Sequence, residues 1–228
     1  MLAKRADGSF AATIGGIVMS ICRQTGKTFT VGTMIFILST LIPNMTVLWT
    51  AHRSSTAYQT FVFFKGLAQR KALRRYIRVV HEPQGRPEVV FVNGSRIMFG
   101  ARESGFGRGF DAVDVIVFDE AQILSEKTVS DMVPTTNASP LNIGLVLHMG
   151  TPPKPSDPGE KFTNPRAQAP PGEDDMVYVE FPADRDAASD DRKAWAKANP
   201  PYPARTPESS MPRIKRPKDT DTVRTGAL

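Results

Sequence analysis

Short apolar runs alternate with longer mixed stretches along the first 150 residues. Thr13 to Ile21, Met45 to Thr50, Val113 to Asp119 and Leu141 to His148 are dominated by Val, Ile, Leu, Met and Phe. Runs of that length with little polar alternation predict strands buried on both faces, as in a parallel sheet. Lys27 to Leu41 predicts a helix, stopped by the turn at Pro43-Asn44. A second helix is predicted from about Thr56 towards Tyr76, with Ser54 or Ser55 as its cap. Arg78 to His81, Glu88 to Val92 and Ser95 to Gly100 predict short strands, and Asn93-Gly94 is a strong hairpin signal between the last two. Ala101 to Asp111 is a glycine-rich loop, and Leu124 to Met132 predicts another helix. The pattern predicts an α/β fold with a mainly parallel central sheet flanked by helices.

The character of the chain changes near residue 153. Fourteen of its 19 prolines lie beyond residue 151. There, only Met176 to Phe181 predicts a strand and Asp190 to Lys197 a short helix. The expected organisation is a core over 1–153, a proline-rich extension over 154–202 and a loose tail over 203–228. No apolar run approaches the ~20 residues that span a bilayer, and the first residues lack the apolar core of a secretion signal. A cytosolic protein without membrane partners is expected. The single cysteine, Cys22, excludes an internal disulfide, and the three histidines are scattered.

The net charge of +6 is unevenly placed. Residues 1–153 hold 16 Lys/Arg against 10 Asp/Glu, and residues 154–228 hold 13 against 13. The basic excess therefore lies in the predicted core and favours a polyanionic partner. Lys65, Arg70, Lys71, Arg74 and Arg75, followed by Arg78, form a run of cations with no acid between them. They are candidates for DNA-backbone contact, with a solvated helix face as the alternative.

The junctions carry the chemistry. Arg23-Gln24-Thr25-Gly26-Lys27-Thr28 falls between the first strand and the first helix. There, backbone N–H groups and the helix N-terminus face an anion, Lys27 reaches the outer phosphates of a triphosphate, and the Thr28 hydroxyl can bind Mg²⁺. The common P-loop pattern has glycine where this chain has Ile21, so a plain helix start is the alternative for Gly-Lys-Thr taken alone. A second motif supports the first. Asp119-Glu120 ends the run beginning at Val113, and ligands in open α/β sheets sit beyond the carboxyl ends of strands. Asp119 and Glu120 would project there beside the phosphate loop as the metal-binding acids, with an Asp-Glu helix cap after a core strand as the alternative. Asp174-Asp175 and Asp190-Asp191 read as solvated charge.

The full set resembles the large terminase subunit of tailed phages, in particular the actinobacteriophage and prophage type. Cys22-Arg-Gln-Thr-Gly-Lys-Thr28 is similar to that family's deviant phosphate loop, which accommodates Ile21. Phe118-Asp-Glu-Ala-Gln122 resembles its acidic motif and Met149-Gly150-Thr151 its coupling motif. Trp49-Thr-Ala-His-Arg53, Gly105-Phe-Gly-Arg-Gly109 and the segment Asp191 to Pro207 match its style. The resemblance implies a P-loop NTPase fold of RecA/ASCE type and an ATP- and Mg²⁺-dependent motor. The motor would drive double-stranded DNA into a procapsid, with the portal and small terminase subunit as partners and a homo-oligomeric ring on the portal, in the bacterial host cytoplasm. It implies Glu120 as base, Arg23 as a γ-phosphate sensor, Gly150-Thr151 as the coupling element, and Arg108 as a finger reaching a neighbouring subunit's ATP. Two departures stand out. The family's adenine-contacting glutamine lies upstream of the phosphate loop, whereas the first glutamine here is Gln24. The family's nuclease domain has no counterpart, so the sequence looks like a motor portion clipped at both ends, without nuclease activity. The alternatives are a helicase-like DNA-dependent ATPase, since Asp-Glu-Ala-Gln also resembles helicase motifs, and a non-catalytic prophage remnant.

Overall fold

The computed structural model describes residues 4, 6, 10–13, 15–82, 86–152, 162, 176–181, 188 and 190–210. Their centre is one eight-stranded sheet. In chain order its strands are β1 Gly16–Ser20, β2 Thr46–Ala51, β3 Ile77–His81, β4 Glu88–Phe91, β5 Arg96–Ala101, β6 Val115–Asp119, β7 Leu145–Gly150 and β8 Met176–Glu180. The spatial order is β3-β4-β5-β2-β6-β7-β1-β8. From β5 to β8 every pairing is parallel, and only β3–β4 and β4–β5 are antiparallel. This is the mainly parallel α/β sheet that the apolar runs predict. All six parallel strands deliver their carboxyl ends to one edge.

Both faces of that sheet are covered, which is why its strands alternate between two apolar partners rather than between apolar and polar. Ile17, Val47, Trp49, Val115, Val117, Leu145 and Leu147 pack into one core with Val31, Ile35 and Phe36 of helix α1 (Lys27–Leu41) and Phe61 and Phe64 of helix α2 (Ser54–Ala68). Val18, Leu48, Ile116, Phe118 and Val146 point the other way, towards Phe106, Phe162 and Met132 of helix α3 (Glu126–Met132). Helix α4 (Arg192–Ala198) is capped by Asp191, whose Oδ1 accepts from the Lys193 and Ala194 amides at 2.8 and 3.3 Å. Among the described residues, no helix is long and apolar enough to cross a membrane.

Several boundaries differ from expectation. Helix α2 stops at Ala68 instead of continuing towards Tyr76. Beyond it the amides close on shorter turns, Arg70 N to Leu67 O and Leu73 N to Arg70 O. The cationic run offers only Leu73 for burial, too little to hold another helical face. Neither Ser54 nor Ser55 caps α2. Arg53 is the N-cap residue, and the Ser54 amide donates to Glu103 Oε1 at 3.1 Å, a cap supplied from another loop. The strand expected from Leu141 begins at Leu145. Asn142 and Gly144 take positive φ of 52° and 51°, which turns the chain before β7.

That turn is tied to the start of β6 by Asp114. Its carboxylate is fully buried and accepts from the Thr46 amide at 2.8 Å, the Ser139 hydroxyl at 2.6 Å and the Leu141 amide at 3.3 Å. A buried carboxylate is tolerated only with such partners. These bonds set where β2, β6 and β7 begin and therefore where their far ends arrive. Asp174 and Asp175 lie outside the described residues.

Candidate nucleotide site

Six parallel strands end at the carboxyl edge of the sheet. The strand carrying the phosphate loop, β1, and the strand carrying the acids, β6, are not neighbours. Strand β7 lies between them, in register with both. Its end, Gly150-Thr151, is therefore placed between the loop and the acids.

The loop after β1 needs two left-handed residues, Gln24 at φ 61° and Gly26 at φ 90°. Nothing lies within 4 Å of a Cβ built on Gly26, so the requirement for glycine there is one of backbone conformation rather than space. Thr25 Oγ1 donates to Cys22 O at 2.7 Å and closes the turn. No side chain caps the first turn of α1, which leaves its amides available to an anion. Lys27 Nζ folds back and donates to Ile21 O and Cys22 O, both at 2.6 Å. Burial pulls the Lys27 ammonium down to about 8, against the nearby Asp119 carboxylate, which favours its charge. Burial also pushes the Cys22 thiol up to about 11, so this cysteine is a neutral filler beneath the loop. Arg23 is exposed on the loop's outer side, and Thr28 is half-buried at the helix start.

The acids stand on the adjoining turn. Asp119 closes β6, and burial raises its carboxyl to about 6. Its Oδ1 accepts from the Glu120 amide at 2.9 Å. Glu120 takes φ 56°, a left-handed turn that a non-glycine residue adopts at some cost. Its Oε2 accepts from the His52 amide at 3.1 Å. Gln122 Oε1 receives the Thr151 amide at 3.3 Å, and a Cβ on Gly150 would come within 2.5 Å of that oxygen. The acidic turn and the end of β7 are thus in direct contact, and Gly150 permits it. Ile21 N donates to Gly150 O at 3.2 Å, joining the phosphate loop to the same strand end.

The residues singled out in the sequence therefore separate into groups. Lys27, Asp119, Glu120, Gly150 and Thr151 lie in one hydrogen-bonded and electrostatic neighbourhood. Arg108 is exposed on its glycine turn, with Nε 3.5 Å from Asp131 Oδ2 of α3. Lys65 pairs with Glu82, which also accepts from the Tyr58 hydroxyl. Arg70, Lys71, Arg74 and Arg75 are exposed on the turns after α2, with the Arg75 guanidinium 4.8 Å from the Tyr76 ring centroid. Arg102 is absent from the candidates that the sequence offers. Its half-buried side chain lies at the end of β5, beside both acids, and burial lowers its guanidinium to about 10. The signal for it is an arginine directly after the apolar run Ile97 to Ala101, where a strand ends at the ligand edge.

Neither a family model nor a curated protein matches the sequence. Solved structures do match the fold. The large terminase of bacteriophage HK97 aligns with a TM-score of 0.74 at 16% identity, over 93% of this chain and 46% of that one. The ATPase domain of the Thermus phage P74-26 large terminase aligns at 0.61 and 15% identity, over 92% and 86%. The large terminase of a thermophilic bacteriophage, solved in complex with ATP-γ-S, aligns at 0.54 and 14% identity, over 75% and 40%. The chain shares its fold with these large terminase ATPase domains. It spans 46% of the length of the HK97 protein.

Proposed function

We propose that the chain is the ATPase motor portion of a phage large terminase, hydrolysing ATP to move double-stranded DNA into a procapsid. The observation that carries the reading is the hydrogen-bonded convergence of three strand ends: the phosphate loop after β1, Gly150-Thr151 after β7 and Asp119-Glu120 after β6. The donor set fits Mg²⁺-ATP. The loop combines a left-handed Gly26, an uncapped helix start and a half-buried ammonium, while Thr28 and Asp119 supply hard oxygen ligands.

ATP supplies the phosphoryl group and Mg²⁺ a neutralising cation; orientation and proton transfer come from the protein. Lys27 binds the β- and γ-phosphates, and Gln24, Thr25 and Gly26 offer the loop backbone. Thr28 and Asp119 hold the metal, directly or through water. Glu120 orients and deprotonates the attacking water. With Oε2 held by the His52 amide, Oε1 is the oxygen that takes the proton. Arg23 senses the γ-phosphate within its own subunit, and Arg108 reaches a neighbouring one. The Gln122 contact supports Gly150-Thr151 as the coupling element between the acidic turn and β7. The exposed turn at Arg70, Lys71, Arg74 and Arg75 faces the DNA backbone. Lys65, already paired with Glu82, contributes less. The partners are DNA, the portal, the small terminase subunit and further copies of the chain in a ring, in the host cytoplasm. Steady-state hydrolysis with DNA and portal present tests the reading. DNA-stimulated turnover is expected, and its absence under those conditions would overturn the motor assignment.

The half-buried Lys27 ammonium gives a pH dependence. Between about 8 and its ordinary value of 10.5, Lys27 binds fewer protons in the folded than in the unfolded chain, so its contribution to stability rises with pH across that window. Phosphate binding restores the charged form. ATP binding in the window around pH 8 should therefore be accompanied by proton uptake, measured by calorimetry in two buffers of different ionisation enthalpy. Equal heats in both buffers for the wild type would contradict the placement of Lys27 against the phosphates.

A further inference from the structure

Three loops are tied together at the carboxyl edge by bonds of which the hydrolytic roles above use only that between the His52 amide and Glu120 Oε2. The first follows β2, the second follows β5 and the third is the acidic turn after β6. Arg102 is the residue common to them. Its Nη1 donates to Thr50 O and to Thr50 Oγ1, both at 3.1 Å, and its Nη2 lies 3.4 Å from Glu120 O. Thr50 Oγ1 in turn donates to Val117 O of β6 at 3.2 Å. The next residue, Glu103, receives the Ser54 amide on its carboxylate, and its own amide donates to His52 O at 3.3 Å. The same His52 gives its amide to Glu120 Oε2. The turn after β5 thus grips the turn after β2, which grips the carboxylate of Glu120, while Arg102 grips the Glu120 carbonyl directly.

We propose that Arg102 is a positioning residue for hydrolysis, fixing the left-handed turn at Glu120 so that its carboxylate is held, oriented, on the His52 amide. The inference rests on Glu120 being the base. The physical case has two parts. A residue at φ 56° returns to a right-handed or extended conformation unless its surroundings hold it. The Glu120 carbonyl is held by Arg102 and by the Ile123 amide at 3.2 Å, and the Glu120 amide by Asp119. Arg102 is the cationic member of that set, and it stands beside two carboxylates that would otherwise repel each other. A guanidinium suits the place because its planar fork reaches Thr50 and Glu120 with two different nitrogens, which a lysine ammonium does less well. The contacts place Arg102 behind the Glu120 backbone. Its loss should therefore disturb the rate of the chemical step more than nucleotide binding, which rests on Lys27 and Thr28 on the other loop.

The test compares kcat and KM for ATP in the wild type, Arg102→Gln, Arg102→Lys and Glu120→Gln, with DNA and portal present. Arg102→Gln should lower kcat by ~10²-fold, the scale of losing one preorganised charged donor, with KM within about two-fold. Arg102→Lys should recover about ten-fold of that loss, because the charge returns without the fork. Thr50→Val keeps the carbonyl acceptor and removes the hydroxyl one, so it should show a smaller fall in kcat in a chain that still folds. Hydrogen exchange gives an independent readout: the His52 amide should lose protection in Arg102→Gln while β1 and β7 keep theirs. Unchanged kcat in Arg102→Gln, or a parallel change in kcat and KM with lost protection throughout the sheet, would overturn the inference. If Glu120→Gln is inactive while Arg102→Gln is not, the inference fails alone. If Glu120→Gln keeps wild-type turnover, the reading of Glu120 as base fails and takes the inference with it.

Discussion

Glu120→Gln is expected to bind ATP as the wild type does and to lose ~10²–10⁴-fold of its turnover, the usual contribution of a positioned base. The substitution is nearly isosteric. The amide oxygen of glutamine still accepts from the His52 amide, and the backbone bonds that hold the turn at φ 56° do not involve the side chain. Lys27, Thr28 and Asp119 are untouched, so phosphate and metal binding persist. What disappears is the ability to accept a proton. Single-turnover hydrolysis beside calorimetric affinity separates the two effects. Retained hydrolysis would move the base elsewhere, and lost binding would mean that Glu120 holds the ligand rather than the water.

Arg108→Ala should have an effect as large through a different route. Three left-handed glycines surround this arginine, Gly105 at φ 77°, Gly107 at 99° and Gly109 at 75°. A Cβ on Gly107 would come within 2.2 Å of the Met132 methyl, so the turn is seated against α3 by glycine. Its side chain is two-thirds exposed, and its charged neighbour is Asp131 of α3. An arginine finger contributes ~10³–10⁵ in rate. If Arg108 acts in trans, Arg108→Ala binds ATP normally, fails to turn over and poisons mixed rings. Mixing Arg108→Ala with Glu120→Gln subunits should recover activity, because some interfaces then pair an intact Glu120 with a neighbour's intact Arg108. Arg23 is the competitor and acts within its own subunit, so it should show no such recovery. Full activity in Arg108→Ala would reject the trans finger and favour Arg23.

The parts of the structure legible in the sequence are those set by local pattern. The apolar runs mark the parallel strands, Asn93-Gly94 marks the β4–β5 hairpin, and Lys27 to Leu41 marks α1 to the residue. Chemistry placed at the end of a run, as at Asp119, is legible for the same reason. Features set by distant partners are not. The end of α2 depends on how little the cationic run can bury. The cap of α2 comes from Glu103, 49 residues along the chain from Ser54. Lys65 meets Glu82 only after the chain has turned into β3. Arg102 is hidden because its partners, Thr50 and Glu120, are 52 and 18 residues away in sequence. No short motif spans them, and only the sheet order β5-β2-β6 brings the three strand ends side by side.

Everything proposed for this chain depends on the loop after β1 binding the phosphates of ATP through Lys27. Calorimetric titration of Mg²⁺-ATP into the wild type and Lys27→Ala tests that dependence most directly. Saturable binding is predicted for the wild type and none detectable for Lys27→Ala, with hydrogen exchange showing the same sheet in both proteins. Equal affinity in the two would contradict it.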